Sequence, residues 1–545
     1  MEMTGGEALG QQLVREGVRH VFGIPGVQLD WAMDGLAKVS DRIAFINPRH
    51  EQATSYMADG YARVSGDVGV CMVVPGPGVL NALAGLATAY ACSSRVVMLA
   101  GQVPTGVAGR GLGVLHELPD QTGILERLTK WTGRAERPED VPRVIREAFN
   151  RVRSGRPRPV AVELPQDVLQ RRADAEVVEV ADPAGPVAPD ASLIEAAADR
   201  LRVAQRPLIY AGGGVLAAGG SEPLRRLAEM LQAPVVMSLN GRGALSNRHP
   251  LAVTSLGGRE LLPEADVVLV VGSRFVDGHG NPVDTGEATT IHLNAEPADL
   301  ETPRTPEVAI HGDAELGLSA LVKTVGSLDG RPTRHDEVAA VRARCNEQVR
   351  EVQPQWEWVQ ALRGAIPDDG ILVNELTQIG YLSQVGYDVY EPRTYLTPGY
   401  QGTLGYGFAT ALGAKISRPD RPVVSICGDG GFGWNQQELA TARQFDIATV
   451  TTVFNDRAFG NVKRTQNVRF EGRQLGTQLT NPDYLELASS YGIAGRRVTE
   501  PDEYRKVLEE AIDADEPTLI EVPVGEMPSA WHLILDFLAA PRGTG

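Results

Sequence analysis

Short apolar runs, bounded by glycine, proline or asparagine, recur along this chain and are separated by polar or alanine-rich stretches of helical length. Such runs are the mark of strands buried on both faces of a parallel sheet, with helices serving as crossovers. Val423 to Ile426 reads as one of these strands and Thr449 to Phe454 as the next, with a helix expected over polar Gln436 to Gln444 between them. The same alternation marks the N-terminal part. There a strand ends in Val21-Phe22-Gly23-Ile24-Pro25-Gly26, and Arg49-His50-Glu51-Gln52-Ala53 opens a helical run through Arg63. Pro75-Gly76-Pro77-Gly78 then precedes an alanine-rich helix from Asn81 to Ala91. The pattern predicts an α/β protein built from doubly wound parallel sheets. A chain of 545 residues has room for three such units, expected at residues 1–175, 191–330 and 355–530. The Pro-, Ala- and Asp-rich stretch 176–190 reads as a linker, the acid- and arginine-rich Asp336 to Glu351 leads into the third unit, and Pro541 to Gly545 reads as a frayed tail.

Candidate chemistry gathers where two of these strands end. Ile426-Cys427-Gly428-Asp429-Gly430-Gly431 closes one strand, and Asn455-Asp456-Arg457-Ala458 closes its neighbour 26 to 29 residues after Asp429. Ligands of open parallel sheets bind at the carboxyl ends of the strands. Gly428, Gly430 and Gly431 let a phosphate approach backbone N–H groups. Two carboxylates beside them suit Mg²⁺, which keeps one or two protein carboxylates and fills its shell with phosphate and water.

These residues resemble the signature of the thiamine-diphosphate (ThDP) enzymes, Gly-Asp-Gly followed after one helix and one strand by Asn-Asn. The chain departs from it at Asp456, where the family usually has the second Asn as metal ligand. The resemblance implies Asp429, Asp456 and the backbone carbonyl of Ala458 as metal ligands. Other segments fit in order: Leu128-Thr129-Lys130-Trp131, Val160 to Pro165, and Gly402-Thr403-Leu404-Gly405-Tyr406-Gly407 before a second alanine-rich helix. By resemblance Glu51 stands opposite N1′ of the aminopyrimidine, where a buried acid favours the imino tautomer that activates the cofactor. The Gly402 carbonyl would hold the 4′-amino group, and Leu404 would wedge the two rings into a bent conformation. Pro25, Gly76, Thr377, Gln378, Asn461 and Val462 complete the implied cofactor surroundings. Because Glu51 and the diphosphate motif fall in different units, the resemblance implies active sites shared between subunits of a homodimer or homotetramer.

Charge and composition narrow the partners. The net charge is −17, from 52 basic and 69 acidic residues, which argues against nucleic acid or anionic membranes. No apolar run reaches membrane-spanning length and no signal-peptide core is evident, so a cytoplasmic protein is expected. Cys71, Cys92, Cys345 and Cys427 lack metal-like spacing, and Cys71 and Cys427 read as reduced thiols in core strands. Tyr210 to Gly219 tempts a dinucleotide reading, but its glycine spacing is loose and no acidic partner ends the next strand. Some relatives, the acetolactate synthases and pyruvate oxidases, carry FAD in this central unit. FAD therefore stays open, with its absence the leading expectation.

The resemblance places the reaction site among Val27 and Gln28, Leu115-His116-Glu117, and Phe459-Gly460-Asn461-Val462. His116 is positioned to relay a proton, and Gln28 to hydrogen-bond substrate without acting as a base. Acetolactate synthases have Trp where this chain has Thr465, and Met-His-Gly where it has Ser255 to Arg259. The expectation is a 2-oxo-acid decarboxylase and carboligase of the acetolactate-synthase-like group. Alternatives are an acyloin lyase resembling benzaldehyde lyase, an FAD-dependent oxidase, and a non-catalytic subunit of the same fold. The last predicts loss of Glu51, Asp429 or Asp456, and all three are present.

Overall fold

A computed structural model describes residues 2–180, 185–277, 280–301, 304–328 and 330–535. Part of the expected linker and the expected frayed tail lie outside the described residues. Among the described residues three six-stranded sheets, in which every strand pairing is parallel, form the cores, and a two-stranded antiparallel sheet joins Glu2–Thr4 to Arg172–Asp174. The first sheet runs, in spatial order, Ala44–Ile46, His20–Gly23, Gly69–Val73, Val96–Gln102, Val160–Pro165, Thr132–Arg134. The second runs Ala252–Thr254, Val235–Met237, Pro207–Ala211, Val267–Val271, Thr289–Asn294, Val308–His311. The third runs Tyr395–Leu396, Ile371–Asn374, Val423–Gly428, Thr449–Asn455, Thr518–Pro523, Ala494–Arg497.

Numbering the strands of each sheet by their place in the chain exposes a relationship between them. The first and third sheets both have the order 2-1-3-4-6-5, whereas the middle one is 3-2-1-4-5-6, the order of dinucleotide-binding folds. In the outer sheets the direction of progression therefore reverses between strands 1 and 3, and crossovers leave a crevice there. The central strands are valine- and isoleucine-rich and buried on both faces, which is why they read as continuous apolar runs. Cys71 and Cys427 lie in two of them, free and buried.

The outer units pack directly on each other. Helix Glu51–Ser65 of the first lies along helix Tyr406–Ser417 of the third. Glycines set the closeness of this contact: a Cβ at Gly60 would strike the Thr410 carbonyl, and one at Gly413 the Met57 carbonyl. Their apolar side chains join one core, in which Met57, Ala58, Phe408 and Leu412 sit together. Such an interface forms only where both helices carry small residues in register, and an Ala at either glycine would have to push the backbones apart. The segment leading into the third unit is a helix, His335–Arg350, whose Val338, Val341, Cys345 and Val349 are buried. Among the described residues no helix is long and apolar enough to cross a membrane.

Candidate active site

In the third sheet the crevice lies between the ends of strands Ile371–Asn374 and Val423–Gly428, which pair with each other. Gly428 is extended and starts helix Asp429–Asn435, which continues through a tight turn, Gln436–Glu438, into helix Leu439–Gln444. The sequence predicts helix only from Gln436. The earlier turn is hidden because Gly430, Gly431 and Gly433 depress helix propensity. Bare backbone is needed there: a Cβ at Gly430 would meet Phe459 at 2.7 Å, and one at Gly431 would collide with the Glu375 carboxylate. Across the crevice the Thr377 hydroxyl accepts from the Gly380 N–H at 3.1 Å and starts helix Gln378–Gly386.

Asp429 and Asp456 end adjacent strands and face each other. Desolvation raises both carboxyls above the usual carboxylate range; Asp456, further raised by the Asp429 charge, reaches about 6. The Asp456 carboxylate accepts from the Ala458 N–H at 3.1 Å, which turns the Ala458 segment back over the site. Asn481 Nδ2 donates to Asp429 at 2.7 Å and to the Asn455 side-chain oxygen at 2.9 Å. Gln378 lies on the other side of Asp456: both approach the position that a Cβ of Gly460 would take. Helix Gly460–Arg469 carries Asn461 and Val462 and buries none of its residues. Arg464 bridges it to the crevice, donating to Gln378 at 2.7 Å and to Asn461 at 2.6 Å.

The first unit offers a different set of groups. Pro25 follows strand His20–Gly23, and Gly76 follows strand Gly69–Val73, so both stand at that sheet's own reversal point. Gly76 has φ 63°, and a Cβ on it would meet the His116 carbonyl at 2.5 Å, so only glycine fits. His116 itself has φ 69°, and its Nδ1 lies 3.1 Å from the Gln28 oxygen. Gln28 is buried and donates from its amide nitrogen to the Leu115 carbonyl at 3.1 Å. Gln28, Gly76 and His116 therefore form one cluster. Glu51 is the first residue of helix Glu51–Ser65, whose cap is the His50 side chain. Its carboxylate is half-buried and accepts from Asn81 Nδ2 at 3.1 Å. Both backbone N–H groups before it, of Arg49 and His50, donate to Glu438 of the third unit at 2.9–3.0 Å.

The remaining predicted residues sit on the turn before helix Tyr406–Ser417. Gly402 is left-handed, with φ 56°, and Leu404 is 38% exposed. Between them Thr403 is tied to the first unit, by Tyr56 at 2.6 Å and Thr88 at 3.2 Å.

Three segments of the chain match models of one family along its length. Residues 3–124 match the thiamine pyrophosphate enzyme N-terminal TPP binding domain, 194–321 its central domain, and 377–522 its C-terminal TPP binding domain. The chain belongs to the thiamine pyrophosphate enzymes. Among similar proteins is the probable acetolactate synthase large subunit of Methanocaldococcus jannaschii, 35% identical over 96% of this chain and 92% of that protein. The probable 2-ketoarginine decarboxylase of Pseudomonas aeruginosa is 36% identical over 95% of this chain and 94% of its own length. Acetolactate synthase isozyme 3 large subunit of Escherichia coli is 33% identical over 94% and 93%. The chain is thus a ThDP-dependent enzyme of the acetolactate-synthase-like group.

The residues fit the family's cofactor. Two carboxylates beside each other, both raised by desolvation, are a donor set that a divalent cation would satisfy. Glycine backbone next to them leaves room for a diphosphate. Sequence reasoning missed Asn81 as the partner of Glu51, Asn481 as the brace of Asp429, and Glu375, a fully buried carboxylate in the crevice wall. Asn81 was visible only as a helix start. Glu375 had a signal, since an acidic residue directly after an apolar strand, Ile371–Asn374, sits at the ligand edge of the sheet.

Proposed function

We propose that this enzyme cleaves and forms carbon–carbon bonds next to the carbonyl of 2-oxo acids, by decarboxylation and acyloin formation, using ThDP and Mg²⁺. The observation that carries the reading is the paired equipment of the two outer units. One crevice holds Asp429 and Asp456 for a metal and glycine backbone for a diphosphate. The other holds the Gln28–His116 cluster, and the same unit presents Glu51 at the start of its helix Glu51–Ser65. The expected division into units at 1–175, 191–330 and 355–530 is part of the same reading.

When bound, ThDP supplies a thiazolium ring that acts as the electron sink for breaking a bond to a carbonyl carbon. Asp429, Asp456 and the Ala458 carbonyl would hold Mg²⁺, with Gly428, Gly430, Gly431, Thr377 and Gln378 around the diphosphate. Glu51 would share a proton with N1′, and the Gly402 carbonyl would accept from the 4′-amino group. Leu404 and Val462 would wall off water on the reacting side once the cofactor and a second protomer are in place. His116, steered by Gln28, carries a proton to or from the substrate oxygen. The products that such chemistry would give are CO₂ with an aldehyde, or CO₂ with an acyloin when a second carbonyl compound is taken up.

Exposed apolar side chains surround both sets of residues: Val27 (54%), Leu115 (63%), Leu404 and Val462 (51%). Their position supports assembly into at least a homodimer, in which the first unit of one protomer covers the third unit of its partner. A second reading has decarboxylation of a longer 2-oxo acid as the physiological reaction. It is favoured by the relative named a 2-ketoarginine decarboxylase and by the smaller Thr465, whose hydroxyl donates back to the Asn461 carbonyl at 3.0 Å. A panel of pyruvate, longer and aromatic 2-oxo acids and benzoin-type acyloins, assayed with ThDP and Mg²⁺, separates the readings. CO₂ release without ligated product indicates the decarboxylase, and acyloin products the ligase. Turnover of acyloins alone would overturn both.

A further inference from the structure

The buried carboxylate of Glu375 has no place in the chemistry above, yet it touches both halves of the third unit's crevice. It follows strand Ile371–Asn374 and is 2% exposed. Oε1 accepts from the Gly405 N–H at 3.2 Å, and Oε2 from the Gly407 N–H at 3.0 Å. Its opposite edge lies against Gly431, where any side chain would collide with Oε1. Among the described residues no cation pairs with it, and desolvation raises its pKa to about 7 against the pull of the two backbone donors and the Cys427 thiol. An unpaired buried carboxylate is an expensive group in a core and is seldom found without a role.

The contacts link two segments that would otherwise move independently. Gly405 and Gly407 end the turn that carries Gly402 and Leu404, and Gly431 belongs to the turn that begins with Gly428 and Asp429. Asn435, at the end of the helix begun by Asp429, adds a second tie by donating to the Gly405 carbonyl at 2.6 Å. The Gly405 amide is held by Glu375 and its carbonyl by Asn435, so the turn is clamped through its backbone and Leu404 is left free to project. Tyr56 and Thr88 fix Thr403 from the other side.

We propose that Glu375 is a positioning residue that locks the Gly402–Leu404 turn to the Gly428–Gly431 turn, so that the aminopyrimidine end of ThDP meets a preformed surface. The inference rests on the ThDP reading above. Glu375→Gln keeps size and burial but offers one acceptor oxygen in place of two, turning an N–H₂ group toward one of the backbone donors. The cofactor-free variant keeps its fold, since the substitution removes a desolvated charge. Its affinity for Mg–ThDP, measured by calorimetry, falls tenfold or more, about the effect of one buried donor left unpaired. Its affinity for Mg–pyrophosphate, measured by competition with ThDP, stays within twofold of the parent, because pyrophosphate has no aminopyrimidine to meet the Gly402–Leu404 turn. Glu375→Asp, which retracts the same carboxylate by one methylene, gives the same split and stands in if Glu375→Gln does not fold. Equal losses for both ligands, no loss for either, or failure of both variants to fold would overturn the positioning role. A parent enzyme that binds no Mg–ThDP would instead overturn the function on which it rests.

Discussion

The two outer units share a strand order and a crevice in the same place, but they equip it with opposite chemistry. In the first unit the crevice is lined by Pro25, Gly76, Gln28 and His116, none of them a carboxylate, and Glu51 stands apart at a helix start. In the third unit three carboxylates, Glu375, Asp429 and Asp456, are gathered at the corresponding strand ends. Topology supplies the cleft, and residues at strand ends decide what it holds. A diphosphate with a cation needs the acidic, glycine-lined version, and an aromatic ring with an exchangeable proton needs the drier, weakly charged one. The middle unit shows the limit of the same rule. In its cleft Gly212 packs against the Gly272 carbonyl, and the Gly214 N–H donates to that carbonyl at 2.9 Å.

The division of labour between the outer units breaks most severely at Glu51. Glu51→Gln keeps the hydrogen bond from Asn81 within reach but removes the exchangeable proton. Turnover and deuterium exchange at C2 of bound ThDP should fall by about 10²–10⁴-fold, the range for a lost acid–base group. Affinity for ThDP and Mg²⁺ should be little changed, because the diphosphate contacts belong to the third unit. An exchange rate equal to the parent's would assign the activating role elsewhere.

Asp429→Ala tests the other side of the comparison. The variant should fold, since it removes a desolvated carboxylate that faces a second one, Asp456, and gives up only its bond from Asn481. It should lose the thermal stabilisation that ThDP with Mg²⁺ confers on the parent, which is about 2.7 kcal/mol at a ligand concentration 100 times Kd. Asp456→Asn restores the residue usual in the family and relieves charge repulsion, so it should retain most of that stabilisation. If Asp429→Ala responds to the cofactor like the parent, the metal is held by other groups.

Sequence and structure agree most closely where a physical rule acts over short range. The α/β class and the parallel sheets follow from apolar runs such as Val423 to Ile426, buried on both faces as the pattern requires. The meeting of Gly428–Gly431 with Asp456 was legible because strand ends in a parallel sheet share one edge. Helix Asp429–Asn435 was not, because its glycines hide a helix that tertiary packing against Phe459 and Glu375 imposes. Nor was the Gln28–His116 hydrogen bond, which joins residues 88 apart through a left-handed residue that no local signal marks. Glu375 escaped for a similar reason: its partners Gly405 and Gly407 lie 30 and 32 residues away and donate only backbone N–H groups.

His116→Ala should produce a smaller and different defect from Glu51→Gln. Exchange at C2 should stay near that of the parent, while the proton-dependent later step slows by no more than about 10²-fold and the ratio of aldehyde to ligated product changes. Gln28→Ala, which frees the imidazole from its 3.1 Å partner, should shift the same ratio less. Measuring exchange and product ratio on both variants ranks the two roles. Fast exchange in Glu51→Gln with slow exchange in His116→Ala would reverse them.

The last expected effect, read on stability and not on activity, is on the pH dependence of the cofactor-free protein, and Glu375 isolates the third unit's share of it. Burial raises the Glu375 carboxyl to about 7, well above the roughly 4.3 of an unfolded Glu. Between these values the folded protein binds a proton that the unfolded chain does not. Stability must then fall as pH rises through this window, by at most about 1.4 kcal/mol per pH unit for one proton, and it is regained as pH falls toward 4.3. Asp456, raised to about 6 by burial and by Asp429, adds a contribution of the same sign. His20 and His292 oppose it, because burial lowers their pKa and makes the folded state lose stability as pH drops below about 6.5. A single melting curve mixes these effects, so the informative quantity is the difference between parent and Glu375→Gln. That difference should grow from pH 5 to pH 8 in favour of the variant, whose amide carries no charge to desolvate. Chemical denaturation at pH 5, 6, 7 and 8 measures it. Parallel profiles for the two proteins would mean that Glu375 does not change its protonation between the folded and unfolded states in this range.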